Sequence, residues 1–139
     1  MSALAPWFIA GSAAVILVLG LIHLFYTFYG AKLLPRDREL HLHMQQVSPN
    51  ITRGTTMWKA WVGFNASHSF GAILFGAVYG YLSLVHAAFL FQSIFLLSSG
   101  LLLLGGYVVL GKRYWFSVPF RGILAATGLY VTALIINWA

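Results

Sequence analysis

A chain of 139 residues that is 60% hydrophobic, 17% aromatic and only 7% charged lies outside soluble composition, where about a quarter of residues carry charge, and it points to a bilayer as solvent. The formal charge of +6 does not indicate a nucleic-acid partner, because the basic residues are confined to two short stretches rather than spread over the face of a soluble domain. The absence of cysteine excludes disulfides, thiolate metal sites and cysteine nucleophiles.

An uncharged run needs roughly 20 residues to cross about 30 Å of hydrocarbon. The first such run predicts a helix over about 5–29. It lacks the positive n-region and short apolar core of a cleavable signal, so it reads as a permanent span. The following connection, about 30–57, is the one sizeable polar segment. Within it Leu40, Met44 and Val47 fall at helical spacing, with Arg36, Asp37, Arg38 and Glu39 just before them, which predicts a short amphipathic helix at the membrane surface. Ser48-Pro49-Asn50 is expected to end it, and Thr55 or Thr56 to cap the next span.

Between Lys59 and Lys112 the only ionisable side chains that can carry positive charge are His68 and His86, and the stretch is about twice the length of one span. A turn is expected at Gly80 to His86, giving helices over about 58–80 and 86–110. The fourth helix is predicted over about 120–138, with Pro119 in a first-turn position where its missing donor costs nothing. Lys32, Arg36, Arg38, Arg53 and Lys59 lie in or beside the first connection, and Lys112, Arg113 and Arg121 in or beside the third. The termini and the second connection carry no Lys or Arg. An even number of spans places both basic segments on one side, which the positive-inside bias makes cytoplasmic. Trp7, Tyr81 and Trp138 on one level, and Tyr29, Trp58, Trp61, Tyr114 and Trp115 on the other, match aromatic belts. The expected fold is therefore all-α: an integral membrane four-helix bundle in a single transmembrane domain, with both termini non-cytoplasmic.

Helices in lipid associate by close backbone approach and interhelical hydrogen bonds rather than by hydrophobic burial. Small residues recur at four-residue spacing in the second span, as Gly63, Ser67 and Gly71 and as Ala72, Gly76 and Gly80. The last two form a GxxxG pair that leaves the identity of the partner helix open.

Ionisable and amide side chains within spans carry a functional hypothesis by default. His23 and Asn65 lie at similar depth in the first two spans, and His68 about one turn deeper. Trp61, Asn65, His68 and Ala72 share one helical face, as do Ser12, Ile16, Leu19, His23 and Tyr26. Turning both faces inward groups His23, Tyr26, Trp61, Asn65 and His68 as a candidate polar pocket in the cytoplasmic half of the bundle. Four readings attach to it: interhelical glue, a pocket for a small or lipid-like molecule, a b-type haem between His23 and His68, and a His68 base acting with Asn65. His41-Leu42-His43 has poor spacing for a metal, since residues two apart on a helix do not face each other. A site joining His41 or His43 to His23 or His68 would need the connection to fold back. The spans hold no Asp, Glu or Cys, which removes paired-carboxylate, Ser-His-Asp and Cys-His mechanisms.

The stretch Trp61-Val62-Gly63-Phe64-Asn65-Ala66-Ser67-His68-Ser69-Phe70-Gly71, following Ile22-His23-Leu24, resembles small, uncharacterised four-helix bacterial integral membrane proteins over the first two helices. That resemblance implies a place in the bacterial inner membrane and treats Asn65 and His68 together; it implies no activity. The expected function is a ligand-binding or accessory module, whose partners are the lipid bilayer and a hydrophobic small molecule or a larger membrane complex. The alternative is a compact membrane enzyme acting on a lipid-like substrate through His23, Asn65 and His68. The identity of the cofactor or ligand stays open.

Overall fold

The computed structural model describes residues 2–138, and among them the chain is helical without strands. The elements are α1 (Ala5–Phe28), α2 (Arg38–Gln46), α3 (Met57–Val85), α4 (Ala87–Gln92), α5 (Ile94–Tyr114) and α6 (Ser117–Trp138). Four of them, α1, α3, α5 and α6, are long and apolar enough to cross a membrane. At about 1.5 Å per residue, the shortest of these, with 21 residues, spans about 31 Å, and the longest, with 29, about 43 Å. In each, no more than 33% of the most apolar stretch is buried within the protein, so large apolar side chains such as Phe64, Phe95 and Leu102 are left on the outside. Such a surface suits lipid and not water.

Local chemistry sets the helix limits. α1 ends where Gly30 takes φ +83°, a left-handed conformation that terminates helices and that glycine adopts without a Cβ penalty. The Asp37 side chain caps α2 by accepting from the backbone N–H groups of Glu39 (2.9 Å) and Leu40 (3.4 Å). α2 stops at Gln46, two residues before the expected Ser48. Of the two threonines considered, Thr56 is the cap of α3: its Oγ1 accepts from Lys59 N–H at 3.3 Å.

Four features differ from the sequence expectation. The second span does not turn at Gly80 but continues to Val85. Gly80 is tolerated there because the flanking Tyr81, Leu82, Leu84 and Val85 continue the apolar helix, and Ser83 satisfies its hydroxyl by donating to the Gly80 carbonyl at 3.0 Å. The third helix, expected over about 86–110, is divided at Ser93. This residue leaves helical geometry (φ −94°, ψ 98°) and accepts from Leu96 N–H at 3.2 Å, ending α4 and capping α5 at once. α5 then runs past Leu110 to Tyr114, with Lys112 and Arg113 in its last turn, where cations oppose the negative end of the helix dipole. α6 begins at Ser117 rather than about 120, so Pro119 lies inside the first turn, where the N–H it lacks would have no helical acceptor.

Two compact units form, one from residues 2–19 with 72–138 and one from residues 20–71; α1 and α3 supply residues to both. The core of the first unit follows helical periodicity. α1 contributes Ala5, Ile9, Ser12, Ala13 and Ile16, and α5 contributes Leu97, Gly100, Leu104, Tyr107 and Gly111 in strict alternation of three and four. α3 meets α1 at Gly76, where an added Cβ would lie 2.5 Å from Leu17 Cβ and 2.8 Å from the Ala13 carbonyl oxygen. The GxxxG pair is thus spent on α1, with Gly80 in a looser position where an added Cβ would lie 3.7 Å from Ala13 Cβ. An aromatic knot joins α3, α5 and α6. Phe75 stacks on Tyr79 at 4.5 Å, Tyr79 packs edge-on to the fully buried Tyr130 at 6.0 Å, and both tyrosine rings close over Gly100. Their hydroxyls donate to the α5 carbonyls of Leu96 (2.6 Å) and Leu97 (3.0 Å), so neither is left unpaired in the core.

Candidate functional site

The second unit contains the polar residues singled out from the sequence. Its elements are the last turns of α1 from Gly20, the connection bearing α2, and α3 as far as Gly71. The connection is pinned at three points. Trp61 Nε1 donates to the Leu33 carbonyl at 3.1 Å, Met57 N–H donates to the Val47 carbonyl at 2.8 Å, and His41 packs edge-on against Trp58 with ring centroids 4.4 Å apart. Gln45 lies 3.2 Å from His41 Nε2 one helical turn on.

His23 on α1 and Asn65 on α3 are brought together, with His23 Nε2 3.0 Å from Asn65 Oδ1. Their chemistry fixes the proton. Asn65 Nδ2 lies 2.8 Å from the Trp61 carbonyl oxygen, which can only accept, so the amide nitrogen must face it and Oδ1 must face His23. Oδ1 in turn can only accept, so His23 carries a proton on Nε2, and in the neutral ring the lone pair lies on Nδ1. The His23 and Asn65 carbonyls also accept from Thr27 Oγ1 (2.8 Å) and Ser69 Oγ (2.9 Å), and Ser69 is fully buried. His68 completes the group: its ring meets that of His23 edge to face, centroids 5.3 Å apart at 89°. All three side chains are half-buried.

Of the five residues expected in the pocket, the structure therefore joins His23, Asn65 and His68 directly. Trp61 contributes through its backbone, orienting Asn65, while its indole holds the connection. Tyr26 stands apart from them. It lies under the Lys32 ammonium, 5.9 Å from its ring centroid, and lines an open depression of about 480 Å³ with Phe25, Tyr29, Gly30, Ala31 and Lys32. Sequence periodicity placed Tyr26 on the His23 face because it is three residues further along α1; near the helix end the connection offers it a cation instead.

The two histidines do not frame a haem. Their rings are in direct edge-to-face contact where an iron and its macrocycle would have to lie, and His23 Nε2 is already engaged by Asn65. Among the described residues no three His, Cys, Asp or Glu side chains gather as a metal site. His41 and His43 do not approach His23 or His68 as a ligand set: His41 is taken up by Trp58 and Gln45. His86 is exposed, and the Tyr81 hydroxyl lies 3.2 Å from its Nε2. What the cluster offers chemically is an imidazole held in one tautomer by an amide that is itself held by the helix backbone. Searches of protein-family models, curated proteins and solved structures give no significant match to this chain.

Proposed function

We propose that the protein is a four-span integral membrane module that binds a hydrophobic small molecule or lipid-like ligand at His23, Asn65 and His68. In this reading both termini lie on the non-cytoplasmic side, and the connection bearing α2 lies in the cytoplasm of a bacterial inner membrane. Four helices of crossing length and the confinement of Lys and Arg to two connections support the placement. The observation that carries the ligand reading is the His23–Asn65 hydrogen bond. With Nε2 spent on Asn65, the Nδ1 lone pair of the neutral ring is an acceptor held in fixed orientation on a half-buried side chain. A ligand with an apolar body and one hydroxyl or amine donor matches that set. The GxxxG pair lends no support to docking on a larger complex, since Gly76 is closed against α1.

A second reading, a compact membrane enzyme acting on a lipid-like substrate, draws on the same geometry, because an imidazole oriented by a third group is how general bases are positioned. Native mass spectrometry of the gently extracted protein tests the site. A retained small molecule that is lost in both His23→Ala and Asn65→Leu, with helicity unchanged, is the expected result. A molecule retained equally by wild type and both variants would overturn the assignment, as would a wild-type protein that carries none. Turnover of the retained molecule by wild type but not by His23→Ala would favour the enzyme.

A further inference from the structure

The segment around α2 gathers five of the chain's cations, Lys32, Arg36, Arg38, Arg53 and Lys59, together with both of its acids, Asp37 and Glu39. All five cations are exposed. Asp37 is committed to capping α2, and Lys32 sits over the Tyr26 ring. Among the described residues the side chains of Arg36, Arg38, Arg53 and Lys59 have no ion-pair or hydrogen-bond partner. α2 itself buries nothing. Its His41 face rests on Trp58, while Leu40 and Leu42 are left 50% and 48% exposed, and Val47, the extended residue just past the helix, 42%. Glu39, His43 and Gln46 are exposed as well. Exposed apolar side chains on a short helix whose flanking cations make no ion pair match a helix lying in a membrane interface.

We infer that α2 and its flanks form a binding surface for anionic phospholipid headgroups. Leu40 and Val47 enter the boundary of the acyl chains, while Arg36, Arg38 and Arg53 take the phosphodiester and any further anionic group, a task suited to planar guanidinium donors. Lipid fits this segment better than a polyanion in solution because exposed apolar side chains and exposed cations occur together in it, and it joins two helices of crossing length. The inference rests on the membrane placement proposed above and is independent of the His23 cluster.

The test is reconstitution of the full chain into vesicles of equal phosphatidylglycerol and phosphatidylcholine, followed by native mass spectrometry of the lipids retained. Each Lys or Arg near an anionic surface is worth about fivefold in partition. The wild type is therefore expected to retain phosphatidylglycerol in at least about tenfold preference, and the combined Arg36→Gln, Arg38→Gln and Arg53→Gln variant to lose most of it with helicity intact. Equal retention of the two lipids by the wild type would overturn the inference while leaving the membrane placement standing. So would a preference that survives the triple variant and disappears with Lys112→Gln and Arg113→Gln. A protein washed from the vesicles by alkaline carbonate would overturn the membrane placement and this inference together.

Discussion

The contact of Gly76 with α1 gives a quantitative prediction, because its GxxxG partner acts as an internal control. In Gly76→Ala the new Cβ would meet Leu17 Cβ at 2.5 Å, the Ala13 carbonyl oxygen at 2.8 Å and Leu17 Cα at 2.9 Å. Ordinary carbon contacts lie at about 3.5–4.0 Å, so relief requires α1 to move by about 1 Å. None of the three atoms sits at the flexible end of a side chain. Overpacking of that kind costs about 1–3 kcal/mol, against a gain of about 1 kcal/mol for replacing a mid-helix glycine by alanine. A net loss of up to about 2 kcal/mol is expected. In Gly80→Ala the nearest atom is Ala13 Cβ at 3.7 Å, an ordinary contact, so that variant keeps the propensity gain and is neutral or stabilised by up to about 1 kcal/mol. Equilibrium unfolding in mixed micelles of rising sodium dodecyl sulfate fraction, followed by far-ultraviolet circular dichroism, measures both. Equal costs for the two alanines, or stabilisation by Gly76→Ala, would refute the close approach of α3 to α1 at Gly76.

Other contacts yield smaller effects. A double-mutant cycle with His23→Ala and Asn65→Ala should give a coupling of about 0.6 kcal/mol, the typical worth of an interhelical hydrogen bond in a membrane protein; a coupling of zero would show that the pair does not interact. Tyr130→Phe and Tyr79→Phe should each cost about 1 kcal/mol in the same unfolding assay, because each removes one donor to an α5 carbonyl and leaves the ring packing in place. Asp37→Ala should destabilise α2 by about 1 kcal/mol through loss of its cap. Faster amide hydrogen exchange confined to α2 is the expected signature, and unchanged exchange there would mean that other contacts hold the helix.

Much of this architecture could be read from the chain because hydrocarbon punishes unpaired backbone and charge so heavily that spans announce themselves by composition alone. Four long helices, the amphipathic α2 and the Thr56 cap followed from run length, periodicity and capping chemistry. The limits that moved depend on subtler local balances. Gly80 looks like a turn residue, yet in an apolar helix its lack of a side chain serves close approach to Ala13 as readily as termination. Ser93 carries little breaking propensity, and its role as a double cap is visible only once its dihedral angles are known.

The site divides in the same way. His23, Asn65 and His68 were legible as rare polar residues on facing helical stripes, but the direction of the amide, and hence the tautomer of His23, required the Trp61 carbonyl. The Tyr79, Tyr130 and Gly100 knot was missed as a unit because its members lie on three helices and its acceptors are backbone carbonyls. A glycine that accepts no Cβ and a tyrosine on the facing helix leave no joint pattern in a single sequence.

The proposed site depends on His23 being held as the Nε2–H tautomer by Asn65. Nitrogen-15 magnetic resonance of histidine-labelled protein in bilayers, with Asn65→Leu as the comparison, measures this directly. A His23 ring protonated at Nε2, with an unprotonated Nδ1 that shifts when the retained ligand binds and a mixture of tautomers in Asn65→Leu, is the predicted result. A His23 ring protonated at Nδ1, or one unaffected by loss of Asn65, would contradict it.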